Sequence, residues 1–446
     1  MKTLCYLRPY NKDQLLTFTK FLRPQDHIKI FCEHSLVDQT NLPEIYYQNL
    51  KKNLNINNII DFNKSEIEEI ITRCRLLRNI EKKQAIKHLI SMALAIKEVL
   101  KIEKPNYLIM QTVDNYISDL MHRYCKKNTI KFIGIVGTPF NSYFRVTSQG
   151  EANFNKQAKN SIDKKIFKNM LNRRYVPNFN KKSVVNPKKS VFIRWIRNSI
   201  KIPFFFFKRI FSFDYYNYHY WQNLIVTKSN FNLFFPTDPG NNDWEESLNF
   251  KSRYNLYIPL QMYPEATIDY ACQDIKYVDY YKNLFLFIKK NHHKFNIFIK
   301  EHPNIMALRP ASFYKSIKND KRITVIPTYE NSNYILEKID CTLVWTGTVG
   351  FDSLIRGVPV ISFCKPYYAS GSRFMTIKQE TQTSKIYKHI KKFYKKKITL
   401  SEQKKIFKYV SRQLYKGHFK YHGDWSSNNK NDLKDIKQMA NSIKNL

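Results

Sequence analysis

Acidic residues are scarce: 36 Asp and Glu stand against 75 Lys and Arg, a formal net charge of +39. Such an excess favours anionic partners, whether nucleic acid, acidic lipid or phosphorylated substrate, without choosing among them. No window holds about 18 consecutive apolar residues, so no spanning helix is expected. The apolar stretch within the first nine residues is too short for the h-region of a signal peptide, so the protein is expected to stay in the cytoplasm. The seven cysteines (Cys5, Cys32, Cys74, Cys125, Cys272, Cys341, Cys364) are scattered, with no C-x-x-C pair and no adjacent His cluster. That argues against a zinc site and a disulfide scaffold, and suits a reducing compartment. No zinc finger or RNP-type strand is present, so nucleic acid is not an expected partner. There is no short-period internal repeat.

What the chain does have is core material. Its 446 residues are 43% hydrophobic and 15% aromatic, enough for two domains, each of roughly 150–250 residues. The pattern predicts strands at Thr3 to Leu7, His27 to Phe31, Tyr107 to Met110 and Lys131 to Val136. Helices are expected over Ser65 to Leu100 and Ile117 to Lys126, and Leu224 to Thr227 reads as a last strand. This alternation implies a mostly parallel sheet covered by helices. After a linker expected within Phe235 to Asn249 the rhythm restarts. Strands are expected at Leu256 to Leu260, Asn296 to Lys300, Ile323 to Ile326, Thr342 to Trp345 and Pro359 to Phe363, with helices between them. The expected organisation is an α/β chain of two Rossmann-like domains facing a cleft, 1–235 and 250–385, followed by a helical segment, 386–446.

Residues 156–221 form a basic, aromatic insertion in the first domain. From Lys156 to Arg209 sixteen Lys and Arg face one acid, Asp163, and the stretch runs into Phe204-Phe205-Phe206-Phe207 and then Tyr215-Tyr216-Asn217-Tyr218-His219-Tyr220-Trp221. Basic residues interleaved with Phe and Trp suit an anionic membrane surface, which places the protein as a peripheral protein at the inner membrane. The plainer alternative is a solvated basic insertion whose aromatics pack on the sheet.

Three loops follow expected strands of the second domain. Thr346-Gly347-Thr348 precedes a helix N-terminus, where Gly permits close approach and the hydroxyls and free N–H groups suit a phosphate; the alternative is an ordinary β-α turn with Thr as cap. In Lys300-Glu301-His302-Pro303, His302 stands at the strand's end as a hydrogen-bond donor or acid, or as a loop His satisfied by backbone. Glu265, in Tyr263-Pro264-Glu265-Ala266, is a candidate general base or nucleophile, or a surface carboxylate. All three would meet at the carboxyl edge of one sheet, where open α/β folds bind ligands. In the first domain, Asp114 after the third strand and Arg145 in a loop spanning Asn141 to Glu151 are candidates for holding a second, anionic substrate. Solvated loop charges are the alternative.

The order Pro-Leu-Gln-x-x-Pro-Glu-Ala-Thr, Lys-Glu-His-Pro and Thr-Gly-Thr-x-Gly-x-(acid)-x-Leu-x-x-Gly-x-Pro-Val-Ile-x-Phe, from Pro259 to Phe363, resembles the capsule polysaccharide biosynthesis family, which includes transferases of Kdo from CMP-Kdo. The acidic position, usually Glu in that family, is Asp352 here. The resemblance implies a GT-B-like glycosyltransferase of capsule or surface polysaccharide synthesis. A nucleotide-sugar donor would sit in the second domain near Glu301, Pro303, Thr346, Gly347, Thr348, Gly350, Asp352 and Ser353, with Glu265 and His302 catalytic. A lipid-linked or glycan acceptor would be held by Asp114 and Arg145. There is no Asp-x-Asp donor motif, so no metal and no other cofactor is implied. The rival readings are a polyol-phosphate transferase or sugar-nucleotide epimerase on the same fold, and a non-catalytic membrane-surface adaptor of polysaccharide export.

Overall fold

The computed structural model describes residues 1–52, 61–147, 164–172, 187–230, 240–249, 253–303, 305, 309, 311–318, 323–420 and 425–446. Among them twelve strands run in chain order: β1 (Lys2–Tyr6), β2 (His27–Ile30), β3 (Tyr107–Gln111), β4 (Lys131–Gly137), β5 (Tyr143–Thr147), β6 (Tyr254–Pro259), β7 (Phe295–Lys300), β8 (Ile323–Ile326), β9 (Cys341–Val344), β10 (Val360–Ser362), β11 (Phe374–Thr376) and β12 (Tyr415–Lys416). They form two six-stranded sheets, ordered β12-β5-β4-β3-β1-β2 and β11-β10-β9-β6-β7-β8. The chain divides into two compact units, Met1–Asn160 with Ile202–Val226 and Gln413–Leu446, and Ser161–Lys201 with Thr227–Arg412.

In the first unit β2, β1, β3 and β4 are parallel. Buried apolar runs such as Leu4-Cys5-Tyr6 and Leu108-Ile109-Met110 explain why they pair in the sheet's middle. The hairpin from β4 to β5 is antiparallel and turns through Ser142 at φ 65°. The helix Lys82–Glu103 supplies a buried face with Leu89, Ala93, Ile96 and Leu100. In the second unit every strand pair is parallel, in the 3-2-1-4-5-6 order of a Rossmann sheet, which changes direction between β6 and β9. Its core joins Leu256, Ile258, Ile297, Ile299, Leu343 and Ile361 to the helix Tyr280–Asn291 through Leu284 and Phe287. The α/β class with two Rossmann-like units and a helical C-terminus is therefore present.

Several expectations need correcting. Arg145 lies inside β5, buried to 2% exposure between Phe144 and Val146, not in a loop. Leu224 to Thr227 belongs to the helix Tyr218–Asn230, whose buried side chains Tyr218, Trp221 and Leu224 recur every three residues. The span Ser65 to Leu100 is two helices, Lys64–Arg73 and Lys82–Glu103, interrupted by a short 3-10 turn at Leu77–Asn79. Cys272 and Cys364, 92 residues apart in sequence, form a disulfide, while Cys5, Cys32, Cys74, Cys125 and Cys341 are buried free thiols.

The units are also discontinuous, unlike the expected blocks 1–235, 250–385 and 386–446. The last segment returns to the first unit because β12 pairs antiparallel with β5, and the helix Lys430–Ile443 packs on Lys12–Leu22, burying Ile436, Met439 and Ile443. Of the expected insertion, 156–163 and 173–186, and of the expected linker, 235–239, lie outside the described residues. No helix among the described residues is long and apolar enough to cross a membrane.

Candidate functional site

In the second unit the sequence-predicted loops leave three adjacent strands, β7, β6 and β9, at their carboxyl ends. Gln261, just past β6, ties them together. Its N–H donates to the Tyr280 hydroxyl at 3.1 Å, and its carbonyl accepts from the Arg309 guanidinium at 2.9 Å. Its side-chain amide packs against Gly347, where an added Cβ would lie 2.5 Å from Nε2.

The Thr-Gly-Thr turn leaves β9 at the sheet's switch point. Trp345 fixes the strand's exit by donating its indole N–H to the Tyr277 carbonyl at 3.1 Å. The Tyr368 hydroxyl donates to the Gly347 carbonyl at 2.6 Å and occupies the space that a Cβ on Gly350 would need, 2.3 Å away. Thr348 begins the helix Val349–Arg356 but makes no side-chain cap bond, and the Thr346 hydroxyl is buried without a hydrogen-bond partner among the described residues. A buried hydroxyl with nothing to bond is costly, so a group supplied from outside would relieve it. The N–H groups of Gly350 and Phe351 in the first turn of that helix are taken up by the Gly347 and Thr348 carbonyls at 3.1 and 2.9 Å, so the helix N-terminus contributes mainly through its dipole.

Ser353 is different. Its hydroxyl donates to the Val349 carbonyl at 2.7 Å and pairs with the Thr342 hydroxyl at 2.9 Å, at 0% exposure, so it braces helix to strand. Asp352 is pushed up to about 6 by burial, with Arg356 at 3.8 Å opposing the shift only in part. Arg356 in turn donates to the Met170 carbonyl at 2.9 Å, which fastens the helix Lys164–Met170 to this element.

At the end of β7, Glu301 is fully enclosed. The Arg309 guanidinium donates Nε to one carboxylate oxygen at 2.7 Å and an amino nitrogen to the other at 2.8 Å. The Tyr314 hydroxyl and the His302 N–H also donate to it. Burial works to raise its pKa, but the Arg309 charge and these bonds outweigh it and hold the carboxyl below the usual range. Glu301 therefore fixes the backbone from which the half-buried His302 projects, and Pro303 carries the chain away. Glu265 is half-buried ahead of the short helix Ala266–Asp269 and accepts from the Thr267 hydroxyl at 2.7 Å. Sequence reasoning missed Arg309 and Tyr368. Both stand outside the loops they hold in place, and only the closed geometry reveals them.

In the first unit the strand order turns between β1 and β3, and Asp114 follows β3 there. Its carboxylate pairs with the Arg8 guanidinium, which follows β1. The Arg75 guanidinium donates to its carbonyl at 2.8 Å, and Asn115 caps the helix Tyr116–Lys127. Arg145, on β5, is two strands away from β3, so the two expected partners do not share a loop.

A second group of polar side chains stands beyond β2. Both Glu33 carboxylate oxygens and His34 Nε2 are buried without a hydrogen-bond partner among the described residues. Burial raises the Glu33 carboxyl and lowers His34 to about 4. Asp214, also raised by burial, accepts from the Ser35 hydroxyl at 2.8 Å. The available signal was the repetition of one pattern, since Glu33-His34 follows β2 as Glu301-His302 follows β7. Among the described residues no group of three or more His, Cys, Asp or Glu is arranged to hold a metal ion.

Residues 214–409 match the family model described as "Capsule polysaccharide biosynthesis protein". No curated protein matches the chain. Among solved structures, the Thermosulfurimonas dismutans KpsC, beta Kdo 2,7 transferase, is similar at 11% identity and TM-score 0.37, covering 99% of both chains. The beta Kdo 2,4 transferase KpsC of the same organism is similar at 13% identity and TM-score 0.33, covering 71% of this chain and 82% of its own. The Methanocaldococcus jannaschii UDP-GlcNAc 2-epimerase is similar at 12% identity and TM-score 0.29, covering 91% of this chain and 98% of its own.

Proposed function

We propose that this chain, whose residues 214–409 match the capsule polysaccharide biosynthesis family model, is a glycosyltransferase that moves a sugar from a nucleotide donor to a lipid-linked or glycan acceptor. The observation that carries this reading is the Thr346-Gly347-Thr348 turn. It stands at the switch point of a Rossmann sheet, offers a buried hydroxyl with no partner among the described residues and opens a helix N-terminus. A donor phosphate meets all three requirements.

The transition state of sugar transfer builds positive charge on the sugar ring and negative charge on the departing phosphate. Thr346, Thr348, the positive end of the helix dipole and His302 answer the second, and the Glu265 carboxylate answers the first. Glu301 and Ser353 act by positioning, because their polar atoms are already committed. Gly350 admits the Tyr368 hydroxyl, and Asp352 sets the charge of the first helical turn. Asp114 and Arg145 lie in the first unit, on the acceptor's side of the reaction in this reading. The work site is the cytoplasmic face of an anionic membrane, with the enzyme bound peripherally.

A thermal-shift series with CMP-, UDP-, GDP- and CDP-linked compounds tests the donor site, with CMP-Kdo first because the family resemblance points to it. One nucleotide should raise the melting temperature of the wild type by mass action. The shift should shrink in Thr346→Val and His302→Ala. A shift of full size in both variants, or none with any nucleotide, would overturn the placement.

A further inference from the structure

The helix Pro187–Ile210 has two faces of opposite fate. Asn198 and Phe205 are buried, 5% and 8% exposed, and attach it to the molecule. Phe192, Ile196, Ile200, Phe204, Phe207 and Phe211 are 38–81% exposed, and the turn continues to Phe211 through its N–H bond to the Phe207 carbonyl. At 3.6 residues per turn these six fall within an arc of about 120°, opposite Asn198 and Phe205. An apolar face of this size left in water marks an interaction site.

The charge around it narrows the occupant. From Pro187 to Phe213 there are seven Lys and Arg and no Asp or Glu. Exposed Arg197 and partly exposed Lys201 stand at successive positions beyond one edge of the arc. A second copy of the same surface would be repelled by its own sign. An anionic bilayer supplies both acyl chains for the arc and negative headgroups for its flanks. Seven charges in so short a stretch forbid spanning, which leaves an orientation in the plane of the interface.

We propose that the helix Pro187–Ile210 is an interfacial membrane anchor, lying in the plane of an anionic bilayer with the Phe192–Phe211 arc in the acyl boundary. This deepens the proposed function, because it brings the enzyme to a lipid-linked acceptor, yet the helix's chemistry does not depend on sugar transfer.

The test is sedimentation of the full chain with vesicles of phosphatidylglycerol and phosphatidylcholine, compared with phosphatidylcholine alone, across a salt series. The wild type should sediment with the anionic vesicles and be released as salt rises. Ile200→Asp with Phe204→Asp should weaken partitioning by about tenfold or more, and Arg197→Glu should flatten the salt dependence. These side chains are exposed, so the melting temperature should stay at the wild-type value; Phe211→Asp, beyond the helix, repeats the test if it does not. Absence of vesicle binding, or binding that survives the aspartate pair, overturns the proposal. A vesicle-free dimer that the same pair dissociates overturns it too, in favour of a second copy. A chain that ignores vesicles but still binds its nucleotide loses the anchor and keeps the proposed function. The converse result separates the two the other way.

Discussion

Asp352 carries a cost that pH makes visible. Its pKa rises from 3.8 to about 6 because burial penalises the carboxylate more than Arg356 at 3.8 Å favours it. A raised acid pKa means that the group's contribution is fully present below the unfolded value and is lost as pH climbs through the folded one. Ionising Asp352 therefore destabilises the folded chain between about pH 4 and pH 6. Asp352→Asn removes that dependence. The stability of the variant relative to wild type should rise by up to about 3 kcal/mol from pH 4 to pH 8, from a shift of roughly two units. The side chain keeps 22% of its exposure, so this is an upper bound. Urea unfolding at the two pH values measures it, and a difference that does not change with pH refutes the assignment. Glu301 is the opposite case: the same burial is overcome by a bidentate guanidinium, and its carboxylate stays ionised.

At the scale of the element, the Thr-Gly-Thr turn holds its form by close approach. Gly350 faces the Tyr368 ring, with Cζ 2.7 Å and the hydroxyl 2.3 Å from where a Cβ would stand. Gly350→Ala should cost on the order of 1–3 kcal/mol by overpacking. Paired with Tyr368→Ala, it should cost less than the sum of the two single changes, because the ring that it strikes is gone. A double-mutant cycle read by chemical denaturation checks this, and strict additivity would mean that the two do not meet. This turn was legible in the sequence because its residues are contiguous, with the apolar strand run Leu343-Val344-Trp345 before it and Gly357 ending the helix after it. The strands β6 to β10 were legible for the same reason. Short elements whose partners lie far away in sequence were not. Arg145 reads as a loop residue, yet it stands opposite Val136 in the β4–β5 ladder, while β12, some 270 residues later, pairs with its neighbours Tyr143 and Phe144. Leu-Ile-Val-Thr at 224–227 satisfies strand and helix equally by composition, and only its buried neighbours Tyr218 and Trp221 decide for a helix. Arg309 carried no signal at all, since its meaning lies in Glu301, Gln261 and Tyr281 around it.

At the scale of the whole molecule, chain order and unit order part company. Gln413–Leu446 completes the unit in which the chain began. β12 covers the open edge of β5 at Tyr143 and Phe144, and Ile436, Met439, Ala440 and Ile443 are buried on the returning helix. An uncovered strand edge loses hydrogen bonds and invites foreign pairing, and the helix Lys12–Leu22, with Leu15 and Phe18 at 0% exposure, packs against that returning helix. The consequences of removing residues 413–446 should therefore be confined to one unit. Backbone amides in β5 and in the helix Lys12–Leu22 should lose protection from hydrogen exchange by at least about tenfold, while those in β6, β7 and β9 keep theirs. Exchange measured by mass spectrometry on the 1–412 chain decides the matter. Uniform loss across both sheets would mean that the two units unfold as one, and that the C-terminal return stabilises the whole chain instead of the sheet that it closes.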